Sequence, residues 1–210
     1  MSSVRHPSYG GAKFWLLIID DATRMCWSTF LKQKSDKCER VIRFIKNLRA
    51  QSYPVNYIQC DNAGENQVLQ QQCDREILNV KFEFTGPDTP QYNGKIERRF
   101  ATLDGRVRAI LNEAKVPEEM QNKLWAEACN HATNIEYKLV NVGCNTSAYK
   151  QFYKQKPPPL CPHQFGELAV VRDTDHIKGK MQNIGNTCMF VGETDSHSNK
   201  VYKFLNKEIK

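Results

Sequence analysis

The first nineteen residues carry no carboxylate; the first acid of the chain is Asp20. Long apolar runs are also missing. The longest, Phe14–Ile19, has six residues, against the ~20 that a membrane-crossing helix needs. No N-terminal stretch has the basic-then-apolar layout of a signal peptide, so the expectation is an intracellular protein with no membrane partner. The eight cysteines are scattered and no two form a Cys-x-x-Cys pair. That spacing argues for reduced thiols and against a disulfide framework. Cys161 and His163 are near neighbours, but a zinc site needs about four ligands and one pair cannot close it. His6, His131, His176 and His197 lack partner spacing altogether. There is no internal repeat.

What is present is ordinary for a globular chain. In 210 residues, 40% are hydrophobic and 25% charged, and the net charge is +7. A positive balance of that size suits a polyanion such as nucleic acid without requiring one. Residues 1–150 hold 21 Lys and Arg against 17 Asp and Glu, and residues 151–210 hold 9 against 6. The balances are +4 and +3, so the shorter tail is the more basic per residue.

Local patterns divide the chain. Phe14–Ile19 is a continuous apolar run and reads as a buried strand ending at Asp20-Asp21. Met25–Leu31 reads as the next strand, joined to the first as a hairpin. A helix follows over 36–49, with Val41, Ile42, Phe44, Ile45 and Leu48 at helical spacing and Ser35 as N-cap. Val55–Cys60 is a third strand that delivers Asp61 to its end. Residues 66–78 read as helix and 80–84 as a short strand. Residues 86–94 form a Pro-, Gly- and Asn-rich loop, and a helix begins near Lys95. Its buried stripe is Ile96, Phe100, Leu103, Val107, Leu111 and Ala114, and Glu97 sits beside that stripe. Another helix covers 118–140 around Leu124, Trp125 and Ala128. Pro157-Pro158-Pro159 marks a boundary, beyond which 167–172, 187–191 and 201–205 read as short strands. The division is a core over 1–150, a linker over 151–164 and a small β domain over 165–210. Strands alternating with helices place the core among α/β folds with a mixed sheet covered by helices.

Two acidic motifs carry the chemistry. One is Cys60-Asp61-Asn62-Ala63-Gly64-Glu65-Asn66. The other is Thr89-Pro90-Gln91-Tyr92-Asn93-Gly94-Lys95-Ile96-Glu97-Arg98, with 35 residues separating the two acids. Two carboxylates converging from separate elements can hold a divalent cation for phosphoryl chemistry. The plain alternative is that Asp61 closes a turn and Glu97 is a first-turn carboxylate favoured by the helix dipole. The motifs resemble those of the integrase catalytic core of copia-type LTR retrotransposons, where the first reads Asp-Asn-Gly-Gly-Glu-Phe and the second Thr-Pro-Gln-Gln-Asn-Gly-Val-Ala-Glu-Arg. Further landmarks of that family are matched by Leu124–Ala128, Thr146–Tyr149, Phe165-Gly166, Leu168–Val171 and Phe190-Val191-Gly192.

The resemblance implies an RNase H-like mixed sheet flanked by helices, followed by a small β-barrel-like module. It implies DNA integration by metal-dependent polynucleotidyl transfer. Asp61 and Glu97 would be two of three carboxylates around Mg²⁺ or Mn²⁺, hard cations that prefer oxygen donors. Element ends and target DNA would be the partners, with a homo-oligomer and a nuclear location. Tyr92, Asn93, Lys95, Arg98 and Arg99 would meet the nucleic acid, with Arg106 and Arg108 extending the basic helix and Lys200, Lys203, Lys207 and Lys210 the basic tail. Solvated faces are the alternative for the four arginines and the tail lysines, and simple packing for Tyr92.

The chain also departs from the family. The family's first acid lies in an Asp-x-x-Gly-Pro segment on the first core strand, which would precede Met1. Asp20 and Asp21 match a different acidic pair, with turn formation as the simpler reading. The Asn-Arg that follows the second acid is here Phe100-Ala101, and the family's zinc module has no match. The expectation is therefore a truncated or decayed integrase core, with a non-catalytic nucleic-acid- or protein-binding relic as the alternative.

Overall fold

The computed structural model describes residues 1–86, 90–140, 143–172, 185–194, 198–204 and 208–209, with backbone alone for 90–93 and 208. The elements in chain order are β1 (Ser2–Ser3), β2 (Phe14–Ile19), β3 (Cys26–Leu31), α1 (Asp36–Ala50), β4 (Tyr57–Asp61), α2 (Gly64–Arg75), β5 (Lys81–Thr85) and α3 (Pro90–Glu113). They continue with α4 (Glu118–Lys138), α5 (Ala148–Tyr153), β6 (Leu168–Arg172), β7 (Gly185–Glu193), β8 (Asn199–Lys203) and β9 (Glu208–Ile209). The chain forms two compact units, one of residues 31–101 and the other of 1–30 with 102–210.

In the larger unit, β1, β2 and β3 form one sheet in that order. Trp15, Leu16 and Leu17 of β2 are buried, as an uninterrupted apolar strand requires. The β2–β3 connection is fastened by Asp20, whose Oδ2 accepts from both the Thr23 amide (2.8 Å) and the Thr23 hydroxyl (2.6 Å). Helix α4 ties onto these strands by polar contacts. The Trp15 indole donates to Ser28 Oγ at 2.9 Å, Ser28 Oγ lies 2.7 Å from Thr133 Oγ1, and the Trp125 indole donates to the His6 carbonyl at 2.9 Å.

Strands β6, β7, β8 and β9 form a four-stranded antiparallel sheet in chain order. No pairing of β6 with β9 closes it among the described residues. This sheet meets α4 through His131, whose ring centroid lies 5.7 Å from Phe165 and 6.0 Å from Phe190. The Gly166 amide donates to the Phe190 carbonyl (2.8 Å), and the Phe190 amide donates to the Glu167 carbonyl (2.8 Å). The two separated landmarks Phe165-Gly166 and Phe190-Val191-Gly192 are thus one junction. Gly166 has φ +90° there, and a Cβ at that position would lie 2.4 Å from Ala114 Cβ. Only glycine combines that backbone with that approach.

In the smaller unit, β4 and β5 run parallel with Tyr57 opposite Lys81 and Asp61 opposite Thr85. Helix α1 buries Val41, Ile42, Ile45 and Leu48, and also Lys37 and Cys38. Two local expectations fail. Ser35 has helical dihedrals and makes no capping hydrogen bond. The Gln33 amide donates to Asp36 Oδ2 at 2.9 Å, which fastens the turn before the helix and does not cap its first-turn amides. Helix α3 begins at Pro90 rather than near Lys95, and proline suits the first helical turn because its missing N–H would have no partner there. The expected stripe is right at its centre, where Leu103, Val107 and Leu111 are buried.

Candidate functional site

The candidate site is built on β4, α2 and α3. A parallel strand ending in a short turn to a helix presents its last side chain at the sheet's carboxyl edge, where α/β folds commonly place chemistry. Asp61 is that last residue of β4 and is exposed. The turn behind it is close-knit, with Ala63 N donating to Asp61 Oδ1 (3.4 Å) and Thr85 Oγ1 to the Cys60 carbonyl (3.4 Å). Burial pushes the Cys60 thiol up to about 11, with Lys37 opposing the rise and Asp61 adding to it. At neutral pH it is a protonated thiol and not a nucleophile.

Asp61 has a further partner. The buried Asn66, on the first turn of α2, donates its side-chain amide to Asp61 Oδ1 at 2.5 Å and to the Asp61 carbonyl at 3.0 Å. Asn66 Oδ1 in turn accepts from Lys37 Nζ at 2.5 Å, and Lys37 is itself only 8% exposed. Glu65 Oε1 lies 3.7 Å from the same ammonium. The motif reading missed both Lys37 and Asn66. A signal was present, because Lys37 lies four residues before Val41 on the buried stripe of α1, and Asn66 stands where the family motif has Phe.

Glu97 lies in the second turn of α3 and is exposed, as are Lys95 and Arg98, while Arg99 is half-buried. The side chains of Tyr92 and Asn93 lie outside the described residues. Phe100 is half-buried and Ala101 exposed. Asp61 and Glu97 therefore fall in one compact unit, on elements separated by α2 and β5.

A two-cation centre asks more of its donors. Among the described residues, no three His, Cys, Asp or Glu side chains group closely enough to hold a metal ion. Asp61 Oδ1 is already engaged by Asn66. Asp20 anchors its own turn, and Asp21 pairs with Arg24 at 2.6 Å. The described residues do not by themselves make up the donor set of a Mg²⁺ or Mn²⁺ pair.

Of the tail lysines, Lys200 has a protein partner. Lys200 Nζ lies 3.5 Å from Glu127 Oε1. Lys203 is half-buried, and Lys207 and Lys210 lie outside the described residues.

No family model matches the chain. It is 33% identical over 193 residues, 90% of its length, to the retrovirus-related Pol polyprotein of transposon TNT 1-94 from Nicotiana tabacum. It is 27% identical over 187 residues to that of transposon RE1 from Arabidopsis thaliana. The chain spans 14% and 12% of the lengths of these relatives. Among solved structures, a chain of the simian T-cell lymphotropic virus intasome in complex with PP2A regulatory subunit B56 gamma superposes with TM-score 0.54 at 15% identity. That match covers 99% of this chain and 76% of the other, a likeness of fold.

Proposed function

We propose a function from one premise, that the chain is homologous to a segment of the copia-type retrotransposon Pol polyproteins and has the mixed α/β fold of an integrase core. It acts as an integrase-type core that handles DNA. The observation that carries this reading is the placement of Asp61 at the end of β4 and Glu97 on α3 within a single compact unit. Lys95, Arg98 and Arg99 share that helix and would meet the phosphate backbone, with Tyr92 and Asn93 in the turn before them. Element ends and target DNA are the proposed substrates, a second copy of the chain a proposed partner, and the nucleus the proposed location. We assign 1–150 to the core and 165–210 to the accessory β module, joined by the 151–164 segment.

The finer reading is metal-dependent polynucleotidyl transfer with Asp61 and Glu97 as two of the carboxylates. It needs a third acid beside them, and neither Asp20 nor Asp21 is free of turn and ion-pair contacts. The second reading, a non-catalytic core that binds DNA, is supported by the lack of a third acid grouped with Asp61 and Glu97 among the described residues.

One experiment separates them. Duplex oligonucleotides are incubated with the chain and Mn²⁺ or Mg²⁺, beside Asp61→Asn and Glu97→Gln. Nicking or strand transfer that both variants lose supports transfer chemistry. No activity in any of the three, with DNA affinity that falls as salt rises, supports the binding core. Affinity indifferent to salt would refute phosphate contact and with it DNA handling by this surface.

A further inference from the structure

A buried lysine needs a reason, because removing an ammonium from water is costly unless it is well paired. Lys37 does not reach a carboxylate at hydrogen-bond distance; Glu65 Oε1 is 3.7 Å away and that side chain is partly exposed. Its short contact is to the amide oxygen of Asn66 (2.5 Å), and the same amide's nitrogen donates to Asp61 Oδ1 (2.5 Å). An amide between a cation and an anion is polarised in one direction: the ammonium draws electron density to Oδ1 and strengthens the N–H donors facing the carboxylate. The chain of contacts runs from inside α1, through the first turn of α2, to the exposed end of β4. A Phe at position 66 would offer no such donor.

We propose that Lys37 and Asn66 are positioning residues that supply Asp61 with an internal positive charge. The carboxylate is held in one rotamer by the fold itself, and a divalent cation that takes Oδ1 competes there with the Asn66 amide, while Oδ2 is left to it. The first part stands on the geometry alone; the second rests on the reading of Asp61 as a metal-site carboxylate. The consequence is a carboxylate that is ordered without a cation and binds one more weakly than it would without Lys37 and Asn66.

The test uses the whole 210-residue chain and two NMR readouts. Without divalent ions, both Asn66 side-chain N–H protons should exchange slowly with water, and Asp61→Ala should speed exchange of the one facing Oδ1 while the other keeps the Asp61 carbonyl. Mn²⁺ is then titrated, following paramagnetic broadening of the backbone amides of 60–66 in the wild type and in Lys37→Met/Asn66→Phe, which removes the charge and the amide together. The concentration for half-broadening should fall on the order of tenfold in the double variant, the equilibrium worth of about one charge-assisted hydrogen bond. Lys37→Met alone serves if the double variant folds poorly, and should shift the titration in the same direction. Fast exchange of the Asn66 amide, or exchange indifferent to Asp61→Ala, overturns the proposal whatever Mn²⁺ does. Unchanged or weaker Mn²⁺ binding in the variants also overturns it. A protected Asn66 amide with no Mn²⁺ broadening in any protein keeps the positioning role and removes the metal role of Asp61 on which the transfer reading depends.

Discussion

Buried charge is used differently in the two units. In the larger one, α4 buries Glu127, Glu136 and Lys138, and each meets an opposite full charge: Lys200, Arg106 and Glu193 respectively. Two of those partners come from the β6–β9 sheet and its connections, one from α3. The pairs fix which turn of α4 faces which strand, a register function that apolar packing leaves loose. In the smaller unit the single buried charge described, Lys37, faces a neutral amide that passes its influence to an exposed acid. In the first arrangement each buried charge ends on a protein charge, with Lys200 and Arg106 34% and 37% exposed, while the other ends at the surface on a group with a free face. A closed pair serves packing, whereas the open-ended one is the arrangement on which the proposed positioning of Asp61 rests.

The largest expected effect comes from opening a closed pair. Lys138 and Glu193 side chains are 3% and 12% exposed and 3.1 Å apart, and Lys138 also approaches the Pro159 carbonyl. Lys138→Met leaves Glu193 without its cation and should cost about 3–5 kcal/mol in urea unfolding. Lys138→Met/Glu193→Met should recover most of that loss, because two apolar residues of similar volume need no partner. A double variant as unstable as the single would mean the pair is more than a register device. The counterpart in the smaller unit is milder. Lys37→Met removes a buried charge whose partner is neutral, so it leaves no buried ion behind, and the change should stay within about 1.5 kcal/mol. A loss as large as that of Lys138→Met would erase the contrast between the units.

These contacts mark where legibility ended. Apolar runs and periodicity located β2, β3, α1, β4, β5 and α4 to within a few residues, because burial of one face leaves its period in the sequence. The acids at 61 and 97 were legible because each sits in a dense local motif. What stayed hidden depends on partners distant in sequence. Lys37 and Asn66 are 29 residues apart, and Ser28 and Thr133 are 105 apart. Polar residues on an apolar stripe, such as Lys37, Glu136 and Lys138, break a pattern without naming the partner that makes the break tolerable. Ser35 does not cap because its hydroxyl turns to the Gln33 side chain at 3.3 Å while Asp36 holds the Gln33 amide, contacts that spacing does not foretell. The start of α3 was hidden by Gly94 and Asn93, turn-formers that the helix absorbs.

The smallest expected effect sharpens the comparison through pH. His131 is where α4 meets the β7 junction, between Phe165 and Phe190. Burial holds its pKa below the usual 6.5, with Glu193 pulling it up and Lys138 pushing it down. The unfolded chain therefore takes a proton near 6.5 that the folded chain refuses, and stability falls as pH drops below that value and is level above it, with a slope of at most about 1.4 kcal/mol per pH unit. Glu127 works in the opposite sense. Burial raises its carboxyl above 4.5, with Lys200 opposing, so the folded state holds a proton that the unfolded chain has lost, and acidification relieves that cost. The measurement is the difference between wild type and His131→Phe in urea midpoint from pH 5 to pH 8, which cancels Glu127. The wild type should lose ground to the variant only below about 6.5. A difference that is flat with pH would mean that His131 gains its proton without leaving the junction. The ring would then have Glu193 as counter-ion, one more closed pair in the larger unit.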